Sequence, residues 1–523
     1  MKKNEYRRLS AEAVCLKKSS GKILNVPPGV LAALAEAAFV EIAYYMSSSH
    51  LRSLAGIVRD KKASPEERFV AAALIKNAAI AAEGVLPICQ DTGTATVFAW
   101  KGEGVRTGAD DAAVMSGAIR GVWRKHCLRF SQVAPLSMFE EKNTGNNLPA
   151  QIDIQAVPGR EYDFLFIAKG GGSSNKTTLI QGSKAVLNDA SLEKLVAEQI
   201  KTLGVAACPP YHLALVIGGA SPEFNLRTLK LASAGCLDDL PSKGSPDGAA
   251  FRDREWEKRV LRTARQTGYG AQFGGKYLAA EARVIRLARH AGSCPISIGV
   301  SCCAHRNVRA KITSSGVFVE KLERNPARFL GACKNVPEAF EHVDLDRPMG
   351  KITAALAKHR AGSMVLLDGT LIVARDMAHA RFIQMLRKGG KIPDYLKRHA
   401  IFYAGPSETP PGKIIGSLGP TTAQRMDAYV PELMARGASL VMLAKGNRSP
   451  SVAEACKKYG GCYLGTIGGA AALIAQEHVV ESEIIDFADL GMEAVRRIKV
   501  RNLPAFVIFD HSGRCAFPCI IRL

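Results

Sequence analysis

The chain has 523 residues, of which 47% are hydrophobic and 23% are charged. This is a globular composition without a bias towards disorder, and since one hydrophobic core stops growing at roughly 250 to 300 residues, we expect two domains. The formal net charge is +22. However, basic runs such as RDKK and RKGGK stand among acidic residues and none alternates with aromatic residues, which disfavours a nucleic-acid-binding protein.

The composition also disfavours a membrane or exported protein. No run of about 18 apolar residues is present, because stretches such as LAALAEAAFVEIAYYM are interrupted by glutamate. The opening MKKNEYRRLSAEAV lacks the apolar core of a signal peptide. The 13 cysteines are odd in number and show no pairing pattern, which is typical of reduced thiols. We therefore expect a soluble, cytoplasmic protein without a membrane partner.

The first 85 residues predict helices. Apolar residues recur on one helical face at Leu31, Leu34, Ala35, Ala38, Phe39 and Ile42. A later helix has Ser64 as its N-cap, Pro65 at its first position and Glu67 to complete a capping box, and Gly84 ends it. Cys89, in LPICQDTG, is therefore expected in a loop that is fixed by a helix end.

From about residue 150, short apolar strands are followed by glycine-rich turns, as in YDFLFIA with KGGGSSNKT, HLALVIGGASPE and CPISIGVSCC. Such a pattern predicts an α+β or α/β domain. Cys208 precedes the second of these strands and Cys302 follows the third. Together with Cys89 they indicate a metal or cluster site built from distant loops, although no short C-x2-C pair is present to make the spacing diagnostic.

The polar, proline-bearing stretch after residue 325 predicts a linker. We place an N-terminal domain at 1–325, a linker at 326–346 and a smaller C-terminal α/β domain at 347–523. The last of these alternates strands such as SMVLLDGTLIVA, AIFYAG, SLVMLAKG and AFVIFD with helices such as RDMAHARFIQML, TTAQRMDAYVPELMARG and SVAEACKKYG.

Two glycine-rich segments invite nucleotide-binding interpretations. GGGSSNKT at 170–177 nearly matches the phosphate-binding loop, but Asn175 stands where that pattern requires glycine. GYGAQFGG from residue 268 is one residue away from the dinucleotide fingerprint and has no strong strand before it. Tight turns with a close backbone approach explain both segments as well.

Cations recur at the strand-to-helix junctions of the C-terminal domain. Arg375 precedes a helix that opens at Asp376, Thr421 is predicted to open another with Arg425 on the same face, and Lys445 ends a strand. Helix N-termini already attract anions, so these residues predict a clamp for carboxylate or phosphate, against the alternative of solvated surface charge. His290, just before the strand that leads to Cys302, is either a site residue or a partly buried structural histidine.

Seven motifs stand in order along nearly the whole chain: LPICQDTGTA, FIAKGGGSSNKT, CPPYHLALVIGGASPE, GYGAQFGGK, GVSCCAHR, GSLGPTTAQRMDAY and MLAKGN. In this combination the chain resembles the class I, iron-sulfur fumarate hydratases. The resemblance implies that Cys89, Cys208 and Cys302 ligate a [4Fe-4S] cluster. Its fourth iron has no protein ligand and acts as a Lewis acid on the substrate.

The resemblance also implies the substrate site. Asp91 matches the proposed acid for the hydroxyl that leaves as water, and Thr421 matches the proposed base. The matching substrate-binding residues are Gln90, Arg129, Gly172, His290, Arg375, Arg425 and Lys445. Because proton removal next to a carboxylate creates a dianion, such a site concentrates positive charge where that charge develops.

Two departures from the family pattern stand next to the third cysteine. An acidic residue is expected in the Ala-Asp-Arg position of many relatives, and here Ala304, His305 and Arg306 occupy it. The doubled Cys302-Cys303 leaves the ligand open, since neighbours in an extended segment point in opposite directions. Alignment of the motif selects Cys302, with Cys303 as a packed thiol.

The implied activity is the reversible hydration of fumarate to (S)-malate in the tricarboxylic acid cycle, by an oxygen-sensitive homodimer with a swivelling-type C-terminal domain. A related hydro-lyase acting on tartrate or mesaconate is an alternative with the same cluster and clamp. A non-enzymatic iron-sulfur sensor is a second alternative, which would not need the set of Asp91, Thr421 and Lys445.

Overall fold

The computed structural model describes residues 5–9, 23–333 and 340–516. Within these residues, helices alternate with three large sheets of six, five and seven strands and with three two-stranded pairs. The first two sheets use strands before residue 321, and the seven-stranded sheet uses strands after residue 340. The prediction of mixed helix and sheet in two α/β units is consistent with this arrangement.

The N-terminal helices follow the predicted pattern. They span Pro28–Tyr44, Ser48–Arg59, Pro65–Ala81 and Asp111–Lys125. All six apolar residues predicted on one face of the first helix are buried. The predicted capping box is present, with Ser64 accepting from the Glu67 N–H and Glu67 accepting from the Ser64 N–H. Gly84 has a positive φ of 78° and lies just beyond this helix, before the Cys89 loop.

The stretch 28–59 is long and apolar enough to cross a membrane by length and composition alone. It comprises the first two helices, and 61% of its most apolar window is buried inside the protein. Core helices of a water-soluble protein have the same composition, because their apolar faces pack against the rest of the fold.

Two sheets form the N-terminal part. The six-stranded sheet has the order Tyr6–Arg8, Gly316–Glu320, Asn307–Thr313, Tyr162–Lys169, Thr94–Gly102 and Gln151–Val157. The five-stranded sheet has the order Phe251–Arg252, Ala279–Arg289, Tyr211–Gly219, Cys294–Ser301 and Thr178–Gly182. Short pairs join Leu24–Asn25 to Val105–Arg106 and Val133–Pro135 to Glu141–Asn143. The further helices are Gly171–Ser174, Asp189–Leu203, Pro222–Ser233 and Arg254–Gln266, with 3-10 turns at Lys184–Val186 and Pro326–Cys333.

The seven-stranded sheet closes on itself. Its order is Glu341–Asp344, Met364–Val373, Ala400–Phe402, Val441–Ala444, Cys462–Gly465, Val495–Phe509 and Val479–Asp486, and Met364–Val373 also pairs with Val495–Phe509. Its helices are Met349–Leu356, Asp376–Arg387, Tyr395–Arg398, Val430–Met434, Pro450–Tyr459 and Ala471–Leu473. Shorter turns span Ala423–Met426, Ile474–His478 and Ala488–Glu493, and Ala404–Pro406 pairs with Leu418–Pro420.

The structure corrects two details of the C-terminal prediction. The segment predicted as one helix from Thr421 is a 3-10 turn at Ala423–Met426 followed by the helix Val430–Met434, because Pro431 lacks the N–H that a continuous helix needs. In addition, the strand Glu341–Asp344 pairs with Met364–Val373 and so belongs to the seven-stranded sheet, although it lies in the predicted linker. Linker residues 334–339 lie outside the described residues.

Candidate functional site

Strand register brings two of the three cysteine loops together. Cys208 precedes the strand Tyr211–Gly219 and Cys302 follows the strand Cys294–Ser301. These strands are antiparallel neighbours in which His212 lies opposite Ser301, so the start of one meets the end of the other. The Cys303 N–H donates to the Cys208 carbonyl oxygen at 3.0 Å. The two loops are therefore bonded directly to each other.

The Cys89 loop reaches the same place from the helical part of the fold. The Asn77 side-chain amide donates to the Ile88 carbonyl at 2.9 Å, and the Asn77 side-chain oxygen accepts from the Leu473 N–H at 3.0 Å. Asn77 is fully buried, so this pair of bonds fixes the first cysteine loop to the C-terminal unit. Burial raises the pKa of Cys89 to about 11, against an opposing effect of Arg306.

Lys445 lies next to the cysteine loops. Its Nζ lies 2.7 Å from the Cys208 sulfur. Burial disfavours its ammonium form, yet its interactions with the cysteines, above all with Cys208, raise the pKa of Lys445 above its ordinary value. A hydrogen bond from the Cys303 thiol and the charge of Lys445 lower the pKa of Cys208 to about 6. Thiolates are the form in which cysteine binds metals.

Cys302 and Cys303 point to different surroundings. Cys302 is half-buried and acts on the titration of both Cys89 and Lys445. Cys303 is fully buried, and its sulfur lies 3.5 Å from the Gly468 carbonyl oxygen. Cys303 nevertheless also belongs to the thiol group, because its thiol donates to Cys208. The choice of Cys302 as the ligand therefore stays a prediction.

A glycine pair of the C-terminal unit closes over the thiols. A Cβ added at Gly468 would overlap the Cys208 sulfur, and one added at Gly469 would overlap the Cys303 sulfur. Buried Gln272 holds this turn, because its side-chain amide bonds to the Gly468 N–H at 2.8 Å and to the Gly468 carbonyl at 2.9 Å. Sequence reasoning missed these glycines, although a Gly-Gly pair after a strand signals a close backbone approach.

The donor set is suited to a cluster more than to one ion. Among the described residues, no group of three or more His, Cys, Asp or Glu side chains is arranged to hold a single metal ion. The Cys208 sulfur instead contacts the ammonium of Lys445, and Cys89 and Cys302 lie near enough for their charges to act on it. A cubane cluster takes ligand sulfurs that are spread around a larger body than one ion, and cysteine thiolates are its usual ligands.

Asp91 fills the glycine-rich loop that resembles a phosphate site. The Gly171 N–H donates to the Asp91 carboxylate at 2.8 Å. Burial alone would raise the pKa of Asp91, but Arg129, Arg306 and this hydrogen bond together lower it below the ordinary value. The loop therefore binds a carboxylate of the chain itself. Gly172 lies beside Lys445, since a Cβ there would stand 3.7 Å from the Lys445 Nζ.

Two cations of the thiol site were not predicted. Arg306 is only 4% exposed, and its charge acts on both Asp91 and Cys89. Lys169 ends the strand before the glycine-rich loop, and burial lowers its pKa to about 8, with a nearby Cys302 acting in the opposite direction. Both residues belong to motifs of the family resemblance. Lys169 is the last residue of a strand and Arg306 directly precedes one, and a cation at a strand end is the sequence feature that could have identified them.

Arginines gather on the C-terminal side, as predicted. Arg375 is the N-cap of the helix Asp376–Arg387 and is 6% exposed. Burial lowers its pKa to about 10, and the charges of Arg129 and Arg425 add to this effect. Carboxylates offset these cations, since Arg375 pairs with Glu493 at 3.1 Å and Arg425 with Asp376 at 3.2 Å.

Thr421 lies within this group of arginines. Arg425 donates a hydrogen bond to its hydroxyl oxygen. Its backbone is fixed by bonds from the Thr421 N–H to the Tyr403 carbonyl at 2.8 Å and from the Lys445 N–H to the Thr421 carbonyl at 3.2 Å. Thr421 and Lys445 are therefore neighbours on adjacent segments.

Gln90 connects the thiol side to the arginine side. It is 4% exposed, and its side-chain amide donates to the Pro420 carbonyl at 3.1 Å, next to Thr421. The Cys89 thiol donates to the Gln90 side-chain oxygen at 3.3 Å. A second link runs from the Ser417 hydroxyl to the Pro87 carbonyl at 2.6 Å. One buried glutamine thus touches both halves of the site.

His290 does not lie with the other predicted residues within the chain. It is exposed, and its Nδ1 accepts from the Gly292 N–H in the turn after the strand Ala279–Arg289. Position 281 of this strand lies opposite His212, at the end near the cysteines. Nine further residues of extended chain put His290 about 30 Å away. Within one chain His290 therefore lies apart from the cysteines, and its role in substrate binding stays a prediction.

The GYGAQFGG segment has a structural role. Glu67, beyond its part in the capping box, accepts from the Lys276 N–H at 2.7 Å and from the Tyr277 N–H at 2.5 Å. A Cβ at Gly275 would overlap the Glu67 carboxylate. The glycines therefore admit a buried side chain, as the tight-turn interpretation predicts.

Comparison with known proteins gives full-length matches. A family model described as Fumarate hydratase (Fumerase) matches residues 32–311, and one described as Fumarase C-terminus matches residues 316–519. The chain is 49% identical to "Fumarate hydratase class I, aerobic" of Escherichia coli (strain K12), covering 98% of this chain and 94% of that protein. It is 50% identical to "Fumarate hydratase 2" of Leishmania major, over 94% and 87%. It is 48% identical to "Fumarate hydratase class I, anaerobic" of Escherichia coli (strain K12), over 99% and 95%.

Proposed function

The chain belongs to the class I fumarate hydratase family, and from this we propose that it catalyses the reversible hydration of fumarate to (S)-malate. The observation that supports this activity best is the pairing of two unlike groups in one site. Lys445 contacts the Cys208 sulfur at 2.7 Å, and on the other side Arg425 donates to Thr421, with Arg375 near enough for the charge of Arg425 to lower its pKa. A dicarboxylate hydro-lyase needs a Lewis acid for the hydroxyl group and cations for the two carboxylates, and a thiolate-bound cofactor beside a group of arginines provides both.

We propose that Cys89, Cys208 and Cys302 hold a [4Fe-4S] cluster. The contact of the Lys445 Nζ with the Cys208 sulfur at 2.7 Å and the low pKa of Cys208, about 6, support the thiolate form that binds metals. When bound, the cluster supplies a Lewis-acidic iron that polarises the substrate hydroxyl and a carboxylate. Lys445 offsets the negative charge of the thiolates.

The two substrate carboxylates bind to the arginines and beside Gly172, the residue of the glycine-rich loop that lies next to Lys445. Guanidinium groups recognise carboxylates through two parallel hydrogen bonds. The charges of Arg129 and Arg425 lower the pKa of Arg375, so the three guanidinium groups repel one another. A bound dianion would offset this repulsion. The Glu493 and Asp376 partners are carboxylates, which shows the ligand chemistry that these arginines accept.

Asp91 and Thr421 transfer the protons. The cations around Asp91 keep it ionised, so in hydration it accepts the proton of the water whose oxygen bonds to one alkene carbon. Thr421 gives a proton to the other carbon, and in dehydration both transfers run backwards. Arg425 donates to the Thr421 oxygen and would stabilise it when it is deprotonated. Since no α-helix begins at Thr421, this support comes from Arg425 and Lys445 and not from a helix dipole.

We also propose that the protein is cytoplasmic and forms a homodimer. All cysteines within the described ranges are free thiols, which is typical of a reducing compartment. The dimer rests on the family resemblance alone. Sedimentation of the anaerobically purified protein measures it directly, and a single monomeric species at micromolar concentration would contradict this part of the proposal.

The activity is tested by anaerobic cluster reconstitution followed by assays with fumarate and with malate. We expect brown protein that interconverts both compounds and loses activity in air. Tartrate and mesaconate are assayed in parallel, because a higher kcat/KM for either would assign the chain to a related hydro-lyase. A protein that binds the cluster but hydrates none of these substrates would be a sensor, and a colourless, air-stable hydratase would contradict the cluster itself.

A further inference from the structure

Behind the third cysteine loop lies a group of histidines that no step above uses. His50, His212 and His305 stand together, with the His212 and His305 rings stacked at a centroid distance of 3.8 Å. His50 is 2% and His212 is 4% exposed. A hydrogen-bonded series runs from the Cys303 carbonyl oxygen to His50 at 2.8 Å, from His50 to His212 at 2.9 Å, and from His212 to Glu281.

The chemistry of the acceptors fixes the direction of these bonds. A carbonyl oxygen only accepts, so the His50 Nε2 carries the proton that is donated to Cys303. Burial, with the charge of His212, lowers the pKa of His50 to about 3, so His50 is neutral and its Nδ1 accepts. The His212 Nε2 must then donate to His50. Its Nδ1 faces Glu281, a carboxylate that also accepts from Arg283 at 2.7 Å.

Glu281 settles the charge of His212. Glu281 is ionised because it is paired with the permanently charged guanidinium of Arg283, at 2.7 Å. A carboxylate needs a donor, and with its Nε2 already donating, His212 must carry a proton on both nitrogens. Arg283 is held in turn by Asp238 at 2.6 Å. The other groups that face His212 are the rings of His50 and His305.

We propose that His50 and His212 form a positively charged brace that positions the Cys302-Cys303 loop and compensates the negative charge of the cluster. These are positioning residues, since His50 acts through the Cys303 backbone. The effect on the cluster rests on the proposed function, whereas the brace itself exists in the apoprotein. The carbonyl of Cys303 is bound by His50 and its N–H by Cys208, so both polar groups of this peptide residue are held.

The brace fixes the backbone from which both thiols of the Cys302-Cys303 pair project. The Cys303 sulfur lies against the Gly468 carbonyl oxygen, and its thiol donates to Cys208. His305 stacks on His212 at the place where an acidic residue was expected. A neutral ring over a charged imidazole is a favourable contact.

The brace is tested in the apoprotein by hydrogen exchange of the peptides that cover residues 300–306. His50→Leu removes the donor to a buried carbonyl, and we expect exchange of this loop to become about tenfold faster. His50→Gln keeps an amide donor and should restore most of the protection. The control is His342→Gln, which breaks an exposed histidine–carboxylate pair at Asp368. Wild-type exchange in His50→Leu would overturn the brace; if this variant does not fold, His212→Leu replaces it with the same expectation.

The charge is tested in the reconstituted protein by the midpoint potential of the cluster. His212→Gln keeps a donor towards His50 but removes the positive charge, so we expect the potential to become more negative at equal iron content. A merely structural role would leave the potential unchanged, and that result would overturn the charge compensation. If the wild type binds no cluster, the proposed function fails, while the exchange experiment still decides the brace.

Discussion

The two halves of the site are held in different ways. On the thiol side, backbone groups are bound by buried polar residues such as Asn77 and Gln272. On the arginine side, cations are paired with carboxylates, and the Arg425 side chain is 42% exposed. A group that is bound permanently needs a rigid frame, whereas a substrate that enters and leaves needs cations whose partners it can replace. The comparison predicts that changes on the thiol side abolish the site and that changes on the arginine side weaken it.

The largest effect is expected from Cys302→Ser. Loss of this ligand should remove the cluster absorbance after anaerobic reconstitution and lower the hydratase rate more than about a thousandfold, since no protein group replaces the thiolate. Cys303→Ser is the matched variant and should keep both. Retained cluster in Cys302→Ser together with loss in Cys303→Ser would reverse the ligand assignment.

A smaller but still large effect is expected from Gly468→Ala. The added methyl group would overlap the Cys208 sulfur, so the iron content after reconstitution should fall by about tenfold or more. Gly350→Ala is the control, because a Cβ at that position meets no atom within 4 Å. Equal iron content in the two variants would show that the turn at Gly468 can shift to accept a methyl group. The thiol side would then not be the rigid frame that distinguishes it from the arginine side.

Arg425→Lys tests the arginine side. A lysine cannot form the bidentate pair, so KM for fumarate should rise by about tenfold while the iron content stays at the wild-type value. Arg436→Lys, which changes an arginine of similar exposure paired with Glu432, should leave steady-state kinetics unchanged. Identical kinetics for both variants would remove Arg425 from the clamp.

The smallest effect is expected from salt. Raising the ionic strength from about 0.05 to 0.5 M should increase KM for fumarate roughly two- to fivefold, because partly exposed cations attract the dianion through a screened field. The cluster absorbance should not change over this range, since the thiols are buried. A loss of cluster absorbance with unchanged KM for fumarate would show that the thiol side, and not the arginine side, is the half that is sensitive to salt.

Much of the fold could be predicted where a local signal was complete. Ser64, Pro65 and Glu67 define a helix start by themselves, and the structure contains that capping box. The junction positions of Arg375 and Lys445 followed from the strands before them. The prediction of one continuous helix from Thr421 was wrong. It followed the apolar residues of the segment, whereas Pro431 stands at the start of a separate short helix.

The site could be predicted only as far as short motifs reach. Arg306 follows the departure from the family pattern at His305, and its approach to Asp91 depends on how two strands of the six-stranded sheet end. His290 was placed in the site from its motif, but the length of the strand Ala279–Arg289 separates it from the cysteines within the chain. Neither the Arg306–Asp91 distance nor the distance from His290 to the cysteines can be read from the residues that neighbour Arg306 or His290 in the sequence.

The amino-acid sequence by itself determined the elements, the three cysteine loops and the cations at the strand ends, because caps, turns and periodicity act over a few residues. Only the tertiary structure decided which groups meet. The pairing of the strands that start after Cys208 and end before Cys302, the turn at Gly468, and the His50–His212 brace join residues at least 79 positions apart. Such contacts depend on sheet register and on packing of the whole chain, and no local pattern specifies them.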